Sequence, residues 1–446
     1  MKRPSLPRRL AWTARLSAEA PLEARFPFRS AEAIRRAQRR RLRETVEHAF
    51  EHVPYYRETG RRLGLSAADF EHASDLAKLP LIERDQLQAD PEYFVSRAEP
   101  LDQYLELHTG GSTGEPITFF RHRSSLYERM LSFQRAAPVN AKLTGKRWRR
   151  RIAMIAPTAS STTDVNRAVG RQRLGRGLRT VVRTIPLFDP LPEIAAQIEE
   201  FRPDVVSAYG SAIEALYSHL AAAGRDFYRP SLVVYAADSL SDQVRRLLSG
   251  LGIEVLSVYQ AVETPTIAWE CDAHSGLHQN LDICPVRIVD GEAKELPAGE
   301  SGSVVVSNLV SRATMLLNYA LGDLATKLPE PCPCGRTLPL LSQPEGRTSE
   351  WMLSRSGRPI HPQTMRSILR HFDEIRRYQL IQERPGEVRV VIVAAPDADR
   401  RGVAEAIAAR AGALPDPLDA RVEFSETLSR TESGKVRTIL NAGTGG

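Results

Sequence analysis

An α/β architecture carrying a smaller α+β unit at its C-terminal end is predicted for this chain of 446 residues, on three observations. Apolar β-type runs alternate with helical periodicity between residues 150 and 260. A pair of β runs around a Gly/Pro-rich turn follows at 286–307. The closing stretch then repeats strand, helix, strand on its own. The length asks for two or three domains, and 42% hydrophobic with 26% charged residues suits a globular protein with a sizeable core.

Residues 1–99 read as a polar, helix-rich segment. The positive charge is concentrated here: residues 1–50 hold 13 Lys or Arg against 5 Asp or Glu, although the whole chain is only +7. In "RSAEAIRRAQRRRLRETVEHAFEHV", Ile34, Leu42, Val46, Phe50 and Val53 recur at helical spacing, predicting an amphipathic helix with an arginine-rich solvent face. No nucleic-acid motif or aromatic interleaving accompanies it, so a nucleic-acid partner is not expected; a nucleic-acid or membrane-surface protein is kept only as a competing reading. No run approaches the ~18 apolar residues of a membrane span, and no apolar signal core opens the chain. Four cysteines, clustered late, do not make a secreted disulfide framework, and a cytoplasmic protein is expected.

From residue 100 the signals alternate. "RIAMIAP", "VVSAY", "SLVVYAA" and "EVLSVYQ" read as buried strands, "SAIEALYSHLAAAG" and "SDQVRRLLSGLG" as helices, giving a mostly parallel, doubly covered sheet. "VRIVDGEAKELPAGESGSVVVSN" reads as an antiparallel hairpin. In the last unit "VRVVIVAAP", "DRRGVAEAIAARAG" and "ARVEFSETL" give strand, helix, strand.

The stretch "HTGGSTGEPITFF" sits between two apolar runs. Gly110, Gly111 and Gly114 let backbone approach an anion, and Thr109, Ser112 and Thr113 add hydroxyl donors. It is neither a Walker loop, since Glu115 stands where lysine is required, nor a dinucleotide fingerprint. Four further segments follow in order: "VYQAVET", "NYALGDLATKL", "EGRTSEW" and "SRTESGKVRT". With them the chain resembles the adenylate-forming (acyl-CoA synthetase/ligase) superfamily, in its phenylacetate–CoA ligase-like branch, over residues 100 to 440.

That resemblance implies a large N-terminal adenylate-forming domain with mostly parallel sheets and a β subdomain, and a mobile C-terminal lid. The expected division is 1–99 for the N-terminal helical part, 100–348 for the adenylation core and 349–446 for the lid, with the hinge at Ser349. It implies ATP and Mg²⁺ as cofactors, with residues 109–114 wrapping the β- and γ-phosphates and Thr113 among the catalytic groups. Glu263 would hold Mg²⁺, a hard cation suited to a carboxylate. Ala236, Ala237 and Asp238 would form the adenine segment, with Tyr259 near the ring. Asp323 would accept from the ribose hydroxyls, Arg347 would contact ribose and phosphate, and Lys435 would bridge the acid's carboxylate and the α-phosphate. The chain departs from the family pattern at Gly110, Glu115, Gln260, Val262 and Ser349.

Cys271, Cys332, Cys334 and a histidine supply a soft ligand set for a structural Zn²⁺; His278 is preferred over His274, and unmetallated thiols are the alternative. Cys284 is expected to be simply buried. The expected activity is ATP-dependent activation of a carboxylic acid, aromatic or otherwise apolar, with transfer to an acceptor, CoA by resemblance. An amine or carrier-protein thiol, and a non-catalytic nucleotide-binding relative, remain alternatives. Residues 154–177 are expected to line the acid pocket. The oligomeric state stays open, a homodimer included.

Overall fold

The structure, a computed structural model, describes residues 5–108, 117–147, 149–158, 161–172, 180–224, 226–347, 352–357, 359–360, 362–369, 371–430, 436 and 438–441. The basic helix is Ala31–His52. Ser30 caps it by accepting the Ala33 N–H at 3.2 Å, and Ile34, Leu42, Val46 and Ala49 are buried along one stripe. Arg35, Arg36, Arg39, Arg40 and Arg43 lie exposed on the opposite face. The N-terminal helices are not an independent body: Val46, Tyr56 and Phe94 share one hydrophobic core with Ile288, Met315 and Leu317. The Tyr56 hydroxyl is fully engaged there, donating to the Met315 carbonyl at 3.2 Å and accepting the Leu317 N–H at 2.7 Å.

Twelve strands form the large sheet. Thr180–Pro186, Arg150–Ala156, Val205–Tyr209, Leu232–Ala236 and Glu254–Gln260 lie side by side and parallel. Helices Leu191–Phe201, Gly210–Ala222 and Asp242–Gly250 make the crossovers that parallel pairing demands. The sequence reading missed Thr180–Pro186, an edge strand whose Val181 and Val182 are exposed.

The parallel run is only half of the sheet. Beyond Glu254–Gln260 the neighbours are antiparallel: Thr266–Glu270, Leu277–Gln279, Leu340–Leu341, Tyr319–Leu328, Ser301–Val306 and Val286–Val289. Of these the sequence reading placed only the hairpin, in which Val286 pairs with Val306. No helix interrupts residues 261–347, and strands joined without crossovers turn back on one another.

The C-terminal unit has its own four-stranded sheet, ordered Asp419–Phe424, Glu387–Ala394, Ile375–Arg384, Ile439–Asn441. Helix Arg400–Gly412 packs on it through Val403, Ile407 and Ala411, over a core that includes Leu380, Val390 and Ile392. The strand Ile375–Arg384 was not foreseen, because "IRRYQLIQER" interleaves charged residues with its apolar ones. Among the described residues no helix is long and apolar enough to cross a membrane.

Candidate functional site

Strand Leu232–Ala236 ends in a sharp bend. Ala237 takes φ +74°, a left-handed conformation that an L-residue adopts only under constraint from its surroundings. The bend carries 237–239 across the start of helix Gly210–Ala222. A Cβ on Gly210 would stand 2.4 Å from the Ser239 carbonyl oxygen, so only glycine permits this approach. Asp238 fixes the crossing: one carboxylate oxygen accepts the Ser211 N–H at 3.2 Å, the other the Ser211 hydroxyl at 2.6 Å.

On the neighbouring strand the Tyr259 hydroxyl donates to an Asp323 carboxylate oxygen at 2.7 Å. Asp323 in turn pairs across the sheet with Arg347. Glu263 lies on the turn that follows. Its carbonyl accepts from Asn308 Nδ2 at 3.2 Å, while Arg121 donates to the carbonyls of Val262 and, at 3.2 Å, Thr264. The backbone around Glu263 is thus pinned on both sides, which leaves its carboxylate as the variable element.

The glycine loop 109–114, Ser349 and Lys435 lie outside the described residues. The flanks of the loop are described: Leu105–His108 pairs antiparallel with Thr118–Arg121, so His108 and Thr118 stand opposite each other. The C-terminal unit touches the same region. Arg377 Nε lies 3.8 Å from Glu214 Oε1, on helix Gly210–Ala222. Burial pushes the Glu214 carboxyl up to about 7, with Arg377 opposing. Burial and the like charge of Arg377 lower the Arg430 guanidinium, against the attraction of Asp238.

A second cluster lies on the antiparallel half. The ligand atoms of Cys271, His278, Cys332 and Cys334 all fall within 4.8 Å of one another. Cys271 Sγ is 3.7 Å from Cys332 Sγ, far beyond a disulfide, and Cys334 Sγ is 3.3 Å from His278 Nε2. The edge of a tetrahedron built on ~2.3 Å metal–sulfur bonds is about 3.8 Å, so these spacings suit a Zn²⁺ ion. Burial lowers the His278 imidazole to about 4, with the Arg336 charge adding to the effect, and a neutral ring is the ligating form. His274 is elsewhere, its Nδ1 3.0 Å from Glu270 Oε1. Cys284 is fully buried and outside the cluster.

Residues 352–442 match the family described as the CapK C-terminal domain. The chain is 26% identical over 367 residues to a phenylacetate-coenzyme A ligase of Thermus thermophilus, covering 80% of this chain and 79% of that one. It is equally 26% identical over 373 residues to the phenylacetate-coenzyme A ligase of Escherichia coli, covering 80% and 81%. The chain is similar to AMP-forming acyl-CoA ligases, and among them to the phenylacetate–CoA ligases. In structure the ligase follows a 2-hydroxyisobutyryl-CoA ligase in its postadenylation state with a TM-score of 0.74 at 18% identity, over 94% of this chain and 91% of that one. Against the same enzyme in the thioesterification state the TM-score is 0.59.

Sequence reasoning missed several groups around this site. Arg121, Arg129, Asn308 and the Glu214–Arg377 contact carry no motif; only "ITFFRH", a charged residue closing an apolar strand, hinted at Arg121.

Proposed function

We propose that this ligase joins a carboxylic acid to ATP, forming an acyl-adenylate and pyrophosphate, and then passes the acyl group to the sulfur of CoA. The observation that carries the reading is the convergence of Tyr259, Asp323 and Arg347 beside the pinned Glu263 turn. In the first step the acid's carboxylate oxygen attacks the α-phosphorus and the bond to pyrophosphate breaks. In the second the CoA thiol gives up its proton, its sulfur attacks the acyl carbonyl, and AMP leaves. Both partners of the first step are anions, so the protein's contribution is positioning and positive charge.

Asp323, which accepts from Tyr259, would accept from ribose hydroxyls, with Arg347 paired to it across the sheet. The 236–238 segment would offer a backbone edge for adenine, and loop 109–114, between the paired strands Leu105–His108 and Thr118–Arg121, would bind the phosphates. Glu263 would hold Mg²⁺, which supplies charge neutralisation at the triphosphate. Lys435 would bridge carboxylate and α-phosphate, and rotation about Ser349 would withdraw it for the second step. The reduced thiols suit a cytoplasmic setting.

Acid-dependent ATP–pyrophosphate exchange tests this reading. Exchange with members of an acid panel, and a thioester by mass spectrometry once CoA is added, are the expected results. Product only with an amine or a carrier-protein thiol would reassign the acceptor. Silence with every acid while ATP still binds would leave a nucleotide-binding relative without ligase chemistry.

Cys271, His278, Cys332 and Cys334 fit a structural Zn²⁺ that would staple residues 271–278 to 332–334. Purified ligase is expected to hold about one zinc per chain. Cys332→Ser should lose the metal and unfold at lower temperature, since a structural zinc contributes folding free energy directly. Metal content near zero after zinc-replete expression, with unchanged melting in the variant, would refute it.

A further inference from the structure

Two guanidinium groups beside the Gln260–Thr264 segment have, among the described residues, no carboxylate bonded to them. Arg121 closes the strand that leaves the glycine loop, and Arg129 lies on the next helix, Arg123–Ser132. Arg121 is only 6% exposed; its bonds go to two neutral carbonyls, and its Nε has no partner. Arg129 donates through Nη2 to Gln260 Oε1 at 3.0 Å and lies over the Phe133 ring. Among the described residues neither arginine is hydrogen-bonded to a carboxylate. Each is held below its ordinary value, first by burial: Arg121 to about 10 with Glu263 opposing, and Arg129 to about 9 with Arg121 adding repulsion. Buried charges are ordinarily paired, and among the described residues no bonded carboxylate pairs either group.

Gln260 says which side of the cleft the pair serves. Neighbouring side chains on a strand point to opposite faces. Tyr259 points to Asp323 on the ribose side, so Gln260, with Arg129 bonded to it, points the other way. The irregularity between these strands falls on the partner, where Ala268 and Thr266 face Tyr259 and Gln260, and so leaves that alternation intact.

We propose that Arg129, with Arg121 behind it, recognises an anionic group on the acid itself, so that the substrate is a carboxylic acid carrying a second carboxylate or comparable oxyanion. The inference rests on the adenylation reading above and replaces the expectation of an apolar acid. Arg129 contacts the distal anion in a charge-assisted, fork-like arrangement. Arg121 is a positioning residue, tying the Glu263 turn to the same charge. An oxyanion of the triphosphate has the same chemistry, and the test separates the two sources.

The probes are matched acids: adipate against hexanoate, and 4-carboxyphenylacetate against phenylacetate. In ATP–pyrophosphate exchange the dianionic member of a pair should be favoured in kcat/KM by at least about 10-fold, because its absence leaves a buried charge unpaired. Arg129→Gln should raise the KM for the dianion about 10-fold and collapse the preference, with the KM for ATP held within twofold; Arg129→Lys should restore part of it. A rise in the ATP KM instead assigns the pair to the triphosphate and overturns the proposal, as does equal or better use of the monoanions. If no acid supports exchange, the adenylation reading has failed separately. Equilibrium dialysis of adipate and hexanoate then decides the subsite: tighter adipate binding lost in Arg129→Gln sustains it, and equal binding overturns it.

Discussion

Arg135→Met is expected to destabilise the large domain by about 3–5 kcal/mol, the usual consequence of removing one partner from a buried ion pair. Arg135 and Asp282 are each only 1% exposed and joined by two bonds, at 2.6 and 2.9 Å. Arg135 also reaches Glu23 at 2.8 Å and Asn280 at 3.1 Å and stacks 4.2 Å over the Phe26 ring. The cluster ties the first helix, Leu6–Arg25, to the turn before strand Val286–Val289. Methionine would fill the volume but strand Asp282 with only Arg41 at 3.7 Å. Asp282→Asn should be milder, because Arg135 keeps Glu23.

The same pair predicts a pH dependence. Burial opposes ionisation of Asp282, yet the charge and hydrogen bonds of Arg135, then the charge of Arg41, outweigh it and hold the carboxyl below its ordinary value. A depressed carboxyl contributes stability that is fully present above the unfolded value near pH ~4 and is lost as pH falls through the folded value. Wild type should therefore lose stability on that acid limb, and Arg135→Met should show a flatter one. Urea unfolding followed by tryptophan fluorescence between pH 3 and 7 measures both. A variant within about 1 kcal/mol of wild type, with a parallel acid limb, would show that the pair is energetically idle.

What could be read from the sequence follows from how far apart the meeting residues lie. Residues 232–236 and 254–260 announced themselves as strands, because apolar runs bounded by helical periodicity are local signals. The segments that meet at Asp323 could be picked out because each is a short contiguous string within a known order. The antiparallel half could not: "TIAWE" and "LHQ" are too short for periodicity, and their pairing depends on turns with no strong dipeptide signature. Arg135 and Asp282 are 147 positions apart and sit in unremarkable surroundings. Arg121, Arg129 and Gln260 look like an edge residue, a helix surface residue and a motif departure. Only the burial of Arg121 and the bond from Arg129 to Gln260 give them a common meaning.

Lys435→Ala is expected to lower acid-dependent ATP–pyrophosphate exchange by about 10²–10³-fold, the scale found when one preorganised stabiliser of a charged transition state is removed. The geometry around it supports that reach. Arg430 feels the field of Asp238, so the chain five residues before Lys435 is near the bend at 237–239. Five extended residues span at most about 17 Å, and the lysine stem adds its own length. The contact between Arg377 and Glu214 brings the C-terminal unit against the helix that Asp238 caps. If this lysine serves only the first step, the second gives the discriminating result. Supplied with a preformed acyl-adenylate and CoA, Lys435→Ala should make thioester at a rate within a few-fold of wild type. Equal loss in both half-reactions would mean that the lysine stabilises the lid as a whole, and undiminished exchange would remove it from the chemistry altogether. The split between half-reactions thus tests the lid's rotation as well as the residue, because a tail charge needed in one step and dispensable in the other has to leave the cleft between them.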